Sequence, residues 1–121
     1  MKKYLFSVIL ISLLAACQDD SQSKQLILGQ WKVDKWLVGE ERTEKQSLDA
    51  SFDFRPDGSY EVDYTTQKEV GTYRIAGRKL YTTENGQMEK MVKIIKLTSD
   101  SLEFEMNRAG QFEVLILKKQ S

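Results

Sequence analysis

Apolar and polar residues alternate along most of this chain, most clearly from residue 52 to residue 64. Aromatic residues and a valine take every second position there, with charged residues between them. A period of two places the apolar side chains on one face of a half-buried strand and the charges on the other. Pro56-Asp57-Gly58 interrupts the run. The proline fixes φ, the aspartate side chain can bond its own backbone, and the glycine tolerates positive φ. Together these residues predict a tight hairpin turn.

This alternation, together with two runs at 88–97 and 112–117 that are apolar on both faces, predicts eight strands after residue 30. They are residues 31–38, 52–55, 60–64, 69–75, 79–83, 88–97, 102–106 and 112–117. Every connection except the first is short enough to join antiparallel neighbours. Eight short strands in this order can close into a barrel, which removes the exposed edges of an open sheet. The predicted fold class is therefore all-β, a small eight-stranded antiparallel up-and-down barrel.

The first strand and the connection after it depart from this regularity. Trp36 falls on the wrong face for strict alternation with Trp31 and Val33. Either a β-bulge or an exposed tryptophan used in binding would explain its position. Residues 39–50 form a charged connection, for which we weigh two interpretations. It is a solvated loop with room for one helical turn, or it is a lid or binding loop.

The N-terminus has the features of an export signal. Lys2 and Lys3 precede a mostly apolar run of about 11 residues, which is too short to span a bilayer but suits a signal-peptide core. Leu14-Ala15-Ala16-Cys17 then resembles the lipobox of bacterial lipoproteins, in which cleavage leaves an acylated cysteine as the first residue. The alternative is a plain secretory signal with a chance cysteine.

These features predict three segments. Residues 1–16 are a lipoprotein signal peptide, residues 17–25 an acylated Cys17 with a flexible polar tether, and residues 26–121 the barrel domain. The resemblance implies a lipid-anchored protein of the bacterial cell envelope. Asp19-Asp20 resembles the acidic sorting signal of some Gram-negative lipoproteins, which favours the outer membrane, on its periplasmic face or at the cell surface. An ordinary solvated tether would have the same composition.

Composition excludes several kinds of chemistry. The chain has 18 basic and 18 acidic residues and no basic stripe, so nucleic acid is a poor candidate partner. It has no histidine and one cysteine, which rules out Cys/His nucleophile pairs and Cys/His zinc sites. The strand carboxylates alternate with core residues and should face water, where their pKa values would not be tuned for acid–base catalysis. We therefore expect neither an enzyme nor a cofactor.

Several short motifs resemble one known family. Gly29-Gln30-Trp31 resembles the Gly-x-Trp signature of lipocalins. Phe-x-Phe-x-x-Asp-Gly-x-Tyr at residues 52–60, Gly-Thr-Tyr-Arg-Ile at 71–75 and Leu-Thr-x-Asp-x-Leu at 97–102 resemble bacterial lipocalin-like lipoprotein domains. The resemblance implies an eight-stranded up-and-down barrel with an apolar interior, often with an unassigned ligand.

Two functions follow from this reading, and the volume of the interior should separate them. In the first, the barrel binds a small apolar ligand, no charged residue faces inward, and tyrosine hydroxyls orient the ligand. A fatty acid would need its carboxylate at the mouth, near Arg42, Arg74 or Arg108. In the second, the barrel is packed, and Trp36 with residues 39–50 binds an envelope protein. The candidate ligand-binding residues are Trp31, Phe54, Tyr60, Val62, Tyr64, Tyr73 and Phe104.

Overall fold

The computed structural model describes residues 15–44 and 48–120, with side chains from Asp20 onward. Residues 1–14 of the predicted signal peptide lie outside this part of the chain. One helix precedes nine strands: α1 (Ala15–Leu26), β1 (Gly29–Val38), β2 (Thr43–Glu44), β3 (Ser51–Phe54), β4 (Ser59–Asp63), β5 (Lys68–Ala76), β6 (Lys79–Glu84), β7 (Lys90–Leu97), β8 (Ser101–Arg108) and β9 (Gln111–Lys119). Within the described ranges, no helix is long and apolar enough to cross a membrane.

Eight of the strands form a closed barrel. Strands β3 to β8 each pair antiparallel with the next strand in the chain, and β1 pairs with both β3 and β9. The β1–β9 pairing closes the sheet, which confirms the predicted eight-stranded up-and-down barrel. The ninth strand, β2, is only two residues long and pairs with the last two residues of β1. The described parts of the 39–50 connection, residues 39–44 and 48–50, contain turns and β2, and the rest of the connection lies outside the described residues.

The barrel has a closed end and an open end. At the closed end lie the start of β1, the end of β9 and the β3–β4, β5–β6 and β7–β8 connections. Ile27, at the end of α1, is fully buried there, and its carbonyl accepts a 2.8 Å hydrogen bond from the Trp31 indole N–H. The Lys119 ammonium lies 4.6 Å from the centre of the Trp31 ring and donates to the carbonyls of Leu26 and Leu28. These contacts plug the closed end with the α1–β1 junction.

The predicted flexible tether is helical in the structure. Residues 18–25 belong to α1, although their polar side chains show no apolar period. Contacts with the barrel stabilise the helix, because the Gly77 N–H donates to Asp20 Oδ1 at 3.0 Å and Ile27 is buried under the barrel. Tertiary contacts therefore decide the conformation of this segment, which alternation alone could not predict.

Trp36 owes its position to a β-bulge. The β1–β9 register shifts between Val33 and Lys35, so that Val33 pairs with Leu117 and Trp36 pairs with Leu115. Both Val33 and Trp36 consequently face the interior, where Trp36 packs against the core. The bulge interpretation is confirmed, and Trp36 is half-buried inside the barrel wall.

Candidate functional site

Several inward-facing side chains differ in burial between the closed end and the open end. At the closed end, Trp31, Leu102 and Leu117 have no exposed surface. At the open end, Trp36, Tyr64 and Met106 also pack against the core but are only partly buried, whereas Glu113 is 4% exposed. The interior of an eight-stranded barrel is barely wider than its own side chains. We therefore expect a ligand to bind only at the open end. We call this end of the barrel, where Trp36, Tyr64 and Met106 face inward, the cup.

Most of the predicted ligand-binding residues are packed into the core below this cup. Trp31, Phe54, Tyr60, Val62 and Phe104 are at most 3% exposed. Phe54 is the centre of a cluster of rings, with centroid distances of 6.0 Å to Phe52, 6.3 Å to Tyr60 and 5.0 Å to Tyr73, and Phe104 lies 6.1 Å from Phe52. Tyr73 lies near the closed end, where its hydroxyl donates to the Arg55 carbonyl at 2.8 Å. Of the seven, Tyr64 is the residue that reaches the cup.

A carboxylate lies among the inward side chains, contrary to the sequence analysis. Tyr60 donates its hydroxyl to Glu69 Oε2 at 2.5 Å, and Tyr64 donates to Glu69 Oε1 at 3.3 Å. Both hydroxyls thus have an acceptor within the protein before any ligand arrives. Sequence analysis missed Glu69, yet the signal was present, since Glu69 shares the period-two face of Gly71, Tyr73 and Ile75.

Burial and nearby carboxylates keep these hydroxyls protonated. Burial, the charge of Glu69 and the hydrogen bond to Glu69 raise the pKa of Tyr64 to about 12. Burial and the hydrogen bond to Glu69 raise the pKa of Tyr60 as well. Glu84, opposite Gly71 in the β5–β6 register, adds its negative charge to both effects. At neutral pH the two tyrosines are therefore donors, and the carboxylate between them is their acceptor.

A second inward carboxylate lies on β9. Glu113 is 4% exposed; its Oε1 accepts a 2.7 Å hydrogen bond from the Trp36 indole N–H, and its Oε2 lies 3.4 Å from Arg108 Nε. The expectation that no charge faces inward is thus wrong. The sequence pattern did not predict the orientation of Glu113 because β9 is apolar on both faces. Val114 is buried on the outer wall, in a cleft that Gly39, Glu40 and Arg42 also line.

Two clefts open on the outer surface of the barrel. One has a volume of about 340 Å³ and lies between α1 and the closed end, beside Asp20, Leu26, Gly77 and Arg78. The other has a volume of about 210 Å³ and lies beside Gly39, Glu40, Arg42, Glu105, Phe112 and Val114. Neither cleft is in the interior, where the sequence analysis places a ligand.

The three arginines proposed as partners for a fatty-acid carboxylate are not equivalent. Arg74 lies on the outer wall, 3.2 Å from Glu89 and 3.9 Å from the centre of the Tyr81 ring. Arg42 borders the smaller outer cleft. Arg108 lies at the open end but is paired with Glu113. Across the described residues, no three Asp, Glu, Cys or His side chains converge as a metal site would require.

Comparison with known proteins identifies the family. A family model for a lipocalin-like domain matches residues 27–104, and the chain belongs to this family. A lipocalin-like protein from Bacteroides uniformis has a similar structure, with a TM-score of 0.60 and 16% identity over 78% of this chain and 99% of that one. An uncharacterized protein from Bacteroides eggerthii is also similar, with a TM-score of 0.59 and 13% identity over 77% and 98%. At these identities the two structures bear on the fold alone. No curated protein matches the chain.

Proposed function

We propose that this protein is a lipid-anchored, non-enzymatic protein of the bacterial envelope that binds a small, largely apolar ligand in the cup at its open end. The observation that carries the binding role is the set of partly accessible side chains at the open end. Apolar side chains line most of the interior, and Trp36, Tyr64 and Met106 at the open end are only partly buried. Family membership supports the same role, since lipocalin-like barrels are suited to hold one small ligand. The lipobox at residues 14–17 supports the anchor.

The cup also constrains the polar group of the ligand. Trp36 and Tyr64 offer aromatic surface, while Glu69 and Glu113 place negative charge beside it. An anionic group entering this cup would lose water and meet like charge, and burying an unpaired ion is costly. A hydroxyl or another neutral donor can instead share the carboxylate oxygens. The ligand is therefore apolar and neutral, with at most a donor at its polar end.

One observation favours a second function, the binding of an envelope protein on the outer wall. Phe112 is 43% exposed and borders the cleft that Val114 and residues 39–42 form. An accessible aromatic side chain beside a concave apolar surface is a common feature of protein-binding sites.

The two functions are separated by titration with Nile red, a neutral apolar dye. We would use the Cys17→Ser chain from residue 17 to residue 121, which keeps α1 and needs no detergent. Saturable binding with a change in Trp36 emission is expected. Met106→Trp, which fills the cup, should weaken it at least tenfold, whereas Phe112→Ser on the outer wall should leave it unchanged. Loss of binding in Phe112→Ser alone would place the dye in the outer cleft, and no saturable binding would contradict the cup.

A further inference from the structure

The helix α1 fixes the start of the mature chain to one end of the barrel. Its C-terminal end is held by Ile27 under the closed end and by Lys119, which donates to the carbonyls of Leu26 and Leu28. Its other side is held by the 3.0 Å hydrogen bond from the Gly77 N–H to Asp20. Gly77 belongs to the β5–β6 connection, which is also at the closed end. The chain is thus attached to the closed end as far back as Asp20.

Only three residue steps separate Asp20 from Cys17, the proposed site of acylation. A fully extended chain covers about 3.6 Å per residue, so Cys17 lies within about 11 Å of Asp20 in any conformation. The open end is much farther away. A strand of 10 residues such as β1 is about 33 Å long. Tilted by about 40°, it gives a barrel about 25 Å high.

We propose that the closed end of the barrel rests on the surface of the bilayer that holds the lipid anchor, and that the cup opens away from the membrane into water. This inference rests on the proposed lipid anchor. Acyl chains inserted within about 11 Å of Asp20 leave too little chain for the barrel to turn over and bring its open end to the lipid. The ligand consequently enters from the aqueous side.

The distribution of charge favours the same orientation. The closed end, from Asp20 through its connections and the adjoining strand residues, is more basic than acidic. It carries Lys24, Arg55, Arg78, Lys79 and Lys119 against Asp20, Asp57 and Asp100. The described residues of the corresponding connections at the open end are more acidic than basic. They carry Glu40, Glu41, Glu44, Asp49, Asp63, Glu84 and Glu89 against Arg42, Lys68, Lys90 and Arg108.

Two pairs of exposed lysines strengthen this argument. Lys32 lies opposite Lys118 in the β1–β9 register, and Lys79 lies opposite Lys93 in the β6–β7 register, each pair in the half of the barrel nearer the closed end. Like charges directly opposite each other are destabilising. Asp49, 4.0 Å from Lys32, and Glu105, opposite Lys93, offset part of that repulsion, and an anionic surface nearby would offset more. A basic side chain close to an anionic leaflet contributes about 1 kcal/mol of attraction. An anionic bilayer thus attracts the closed end and repels the cup.

The orientation can be measured with single fluorescent labels in the lipidated protein. Acylation occupies Cys17, so an introduced cysteine is the only free thiol. Ser99→Cys marks the closed end and Thr66→Cys the open end; both are exposed connection residues and both changes are small. Each protein would be labelled with bimane and reconstituted into phosphatidylethanolamine–phosphatidylglycerol vesicles that carry a headgroup spin-label quencher. We expect quenching at least threefold stronger at position 99 than at position 66.

Three outcomes are informative. If the protein floats with vesicles and position 66 is quenched as strongly as position 99, the orientation is overturned while the anchor stands. If it does not float, or if Cys17→Ser floats equally well, the proposed anchor is overturned and the orientation with it. A matched variant with 12 Gly/Ser residues inserted after Cys17 has a tether reach of about 20 Å. It should still float with the vesicles, and the ratio of quenching at position 99 to quenching at position 66 should be closer to one.

Discussion

At the scale of single residues, Glu69 has the most specific set of contacts in the cup. Each of its carboxylate oxygens accepts one tyrosine hydroxyl, and the tyrosines come from β4 and from the residue that follows it. Hydrogen bonds to a charged group contribute about 1.5–3 kcal/mol each, more than neutral ones. Because Tyr60 is 2% exposed, its hydroxyl would have little access to water if Glu69 were removed. Glu69 therefore stabilises the wall of the cup as well as setting its charge.

We predict that Glu69→Ala lowers the free energy of unfolding by about 1–3 kcal/mol, because the buried Tyr60 hydroxyl loses its acceptor. Urea unfolding followed by circular dichroism measures the change. Glu61→Ala is the matched control, since Glu61 lies on the outer wall 3.9 Å from Arg55, and it should cost less than about 1 kcal/mol. Tyr60→Phe should lower the free energy of unfolding much less in the Glu69→Ala background than in the wild type. Additive effects of the two substitutions would contradict the direct bond.

At the scale of elements, alternation predicted most strands of the barrel because one face packs and the other meets water, and the strands at 88–97 and 112–117 were predicted from runs that are apolar on both faces. It failed to orient β9, where Val114 on the outer face is as buried as Glu113 on the inner one. It also failed at α1, whose polar residues show no period. That helix depends on the contact between Asp20 and Gly77, which are 57 residues apart. Alternation within one element shows only which of its faces is apolar. The orientation of β9 and the conformation of α1 depend instead on contacts with other parts of the chain.

The β5–β6 pairing gives the second prediction. At Gly71 an added Cβ would lie 2.0 Å from the Thr83 carbonyl oxygen and 2.8 Å from Glu84 Cα, so a side chain would force the strands apart. Gly58 has a φ of 87°, but an added Cβ would meet nothing closer than 3.9 Å. We expect Gly71→Ala to cost about 3 kcal/mol, at the upper end of overpacking. Gly58→Ala should cost only about 1–2 kcal/mol of backbone strain.

Urea unfolding would measure both glycine variants. Thr72→Ala, an exposed neighbour on β5, is the control and should lie within about 0.5 kcal/mol of the wild type. A larger loss at Gly58 than at Gly71 would mean that turn conformation, rather than close strand approach, limits this part of the barrel. The motif Gly-Thr-Tyr-Arg-Ile at 71–75 contains this glycine, so the prediction also gives one position of the motif a physical reason.

At the scale of the whole molecule, the barrel divides into a packed lower part and an accessible upper part. The lower part uses Trp31, Phe54 and Leu117, together with the α1–β1 junction, as a core. The upper part combines apolar walls with Glu69, Glu84 and Glu113. Alternation predicted the aromatic inward face but left open whether these side chains form a packed core or a ligand site. Whether such side chains fill a barrel or line a cavity depends on barrel width and on the plug at one end, and neither is visible in alternation.

The charge of the upper part leads to the last prediction, which concerns ligands of equal length and different head group. Decanol and decanoate would compete with Nile red at pH 7.5, where decanoate is ionised. Because inward carboxylates outnumber the Arg108 cation at the open end, decanol should bind at least tenfold more tightly, a difference of about 1.4 kcal/mol. Glu69→Gln removes one of these charges while keeping the shape of the side chain, so it should reduce the difference in affinity between decanol and decanoate. Glu103→Gln on the outer wall should leave that difference unchanged. Tighter binding of decanoate by the wild type would show that Arg108 exchanges Glu113 for the ligand, and the cup would then select anions.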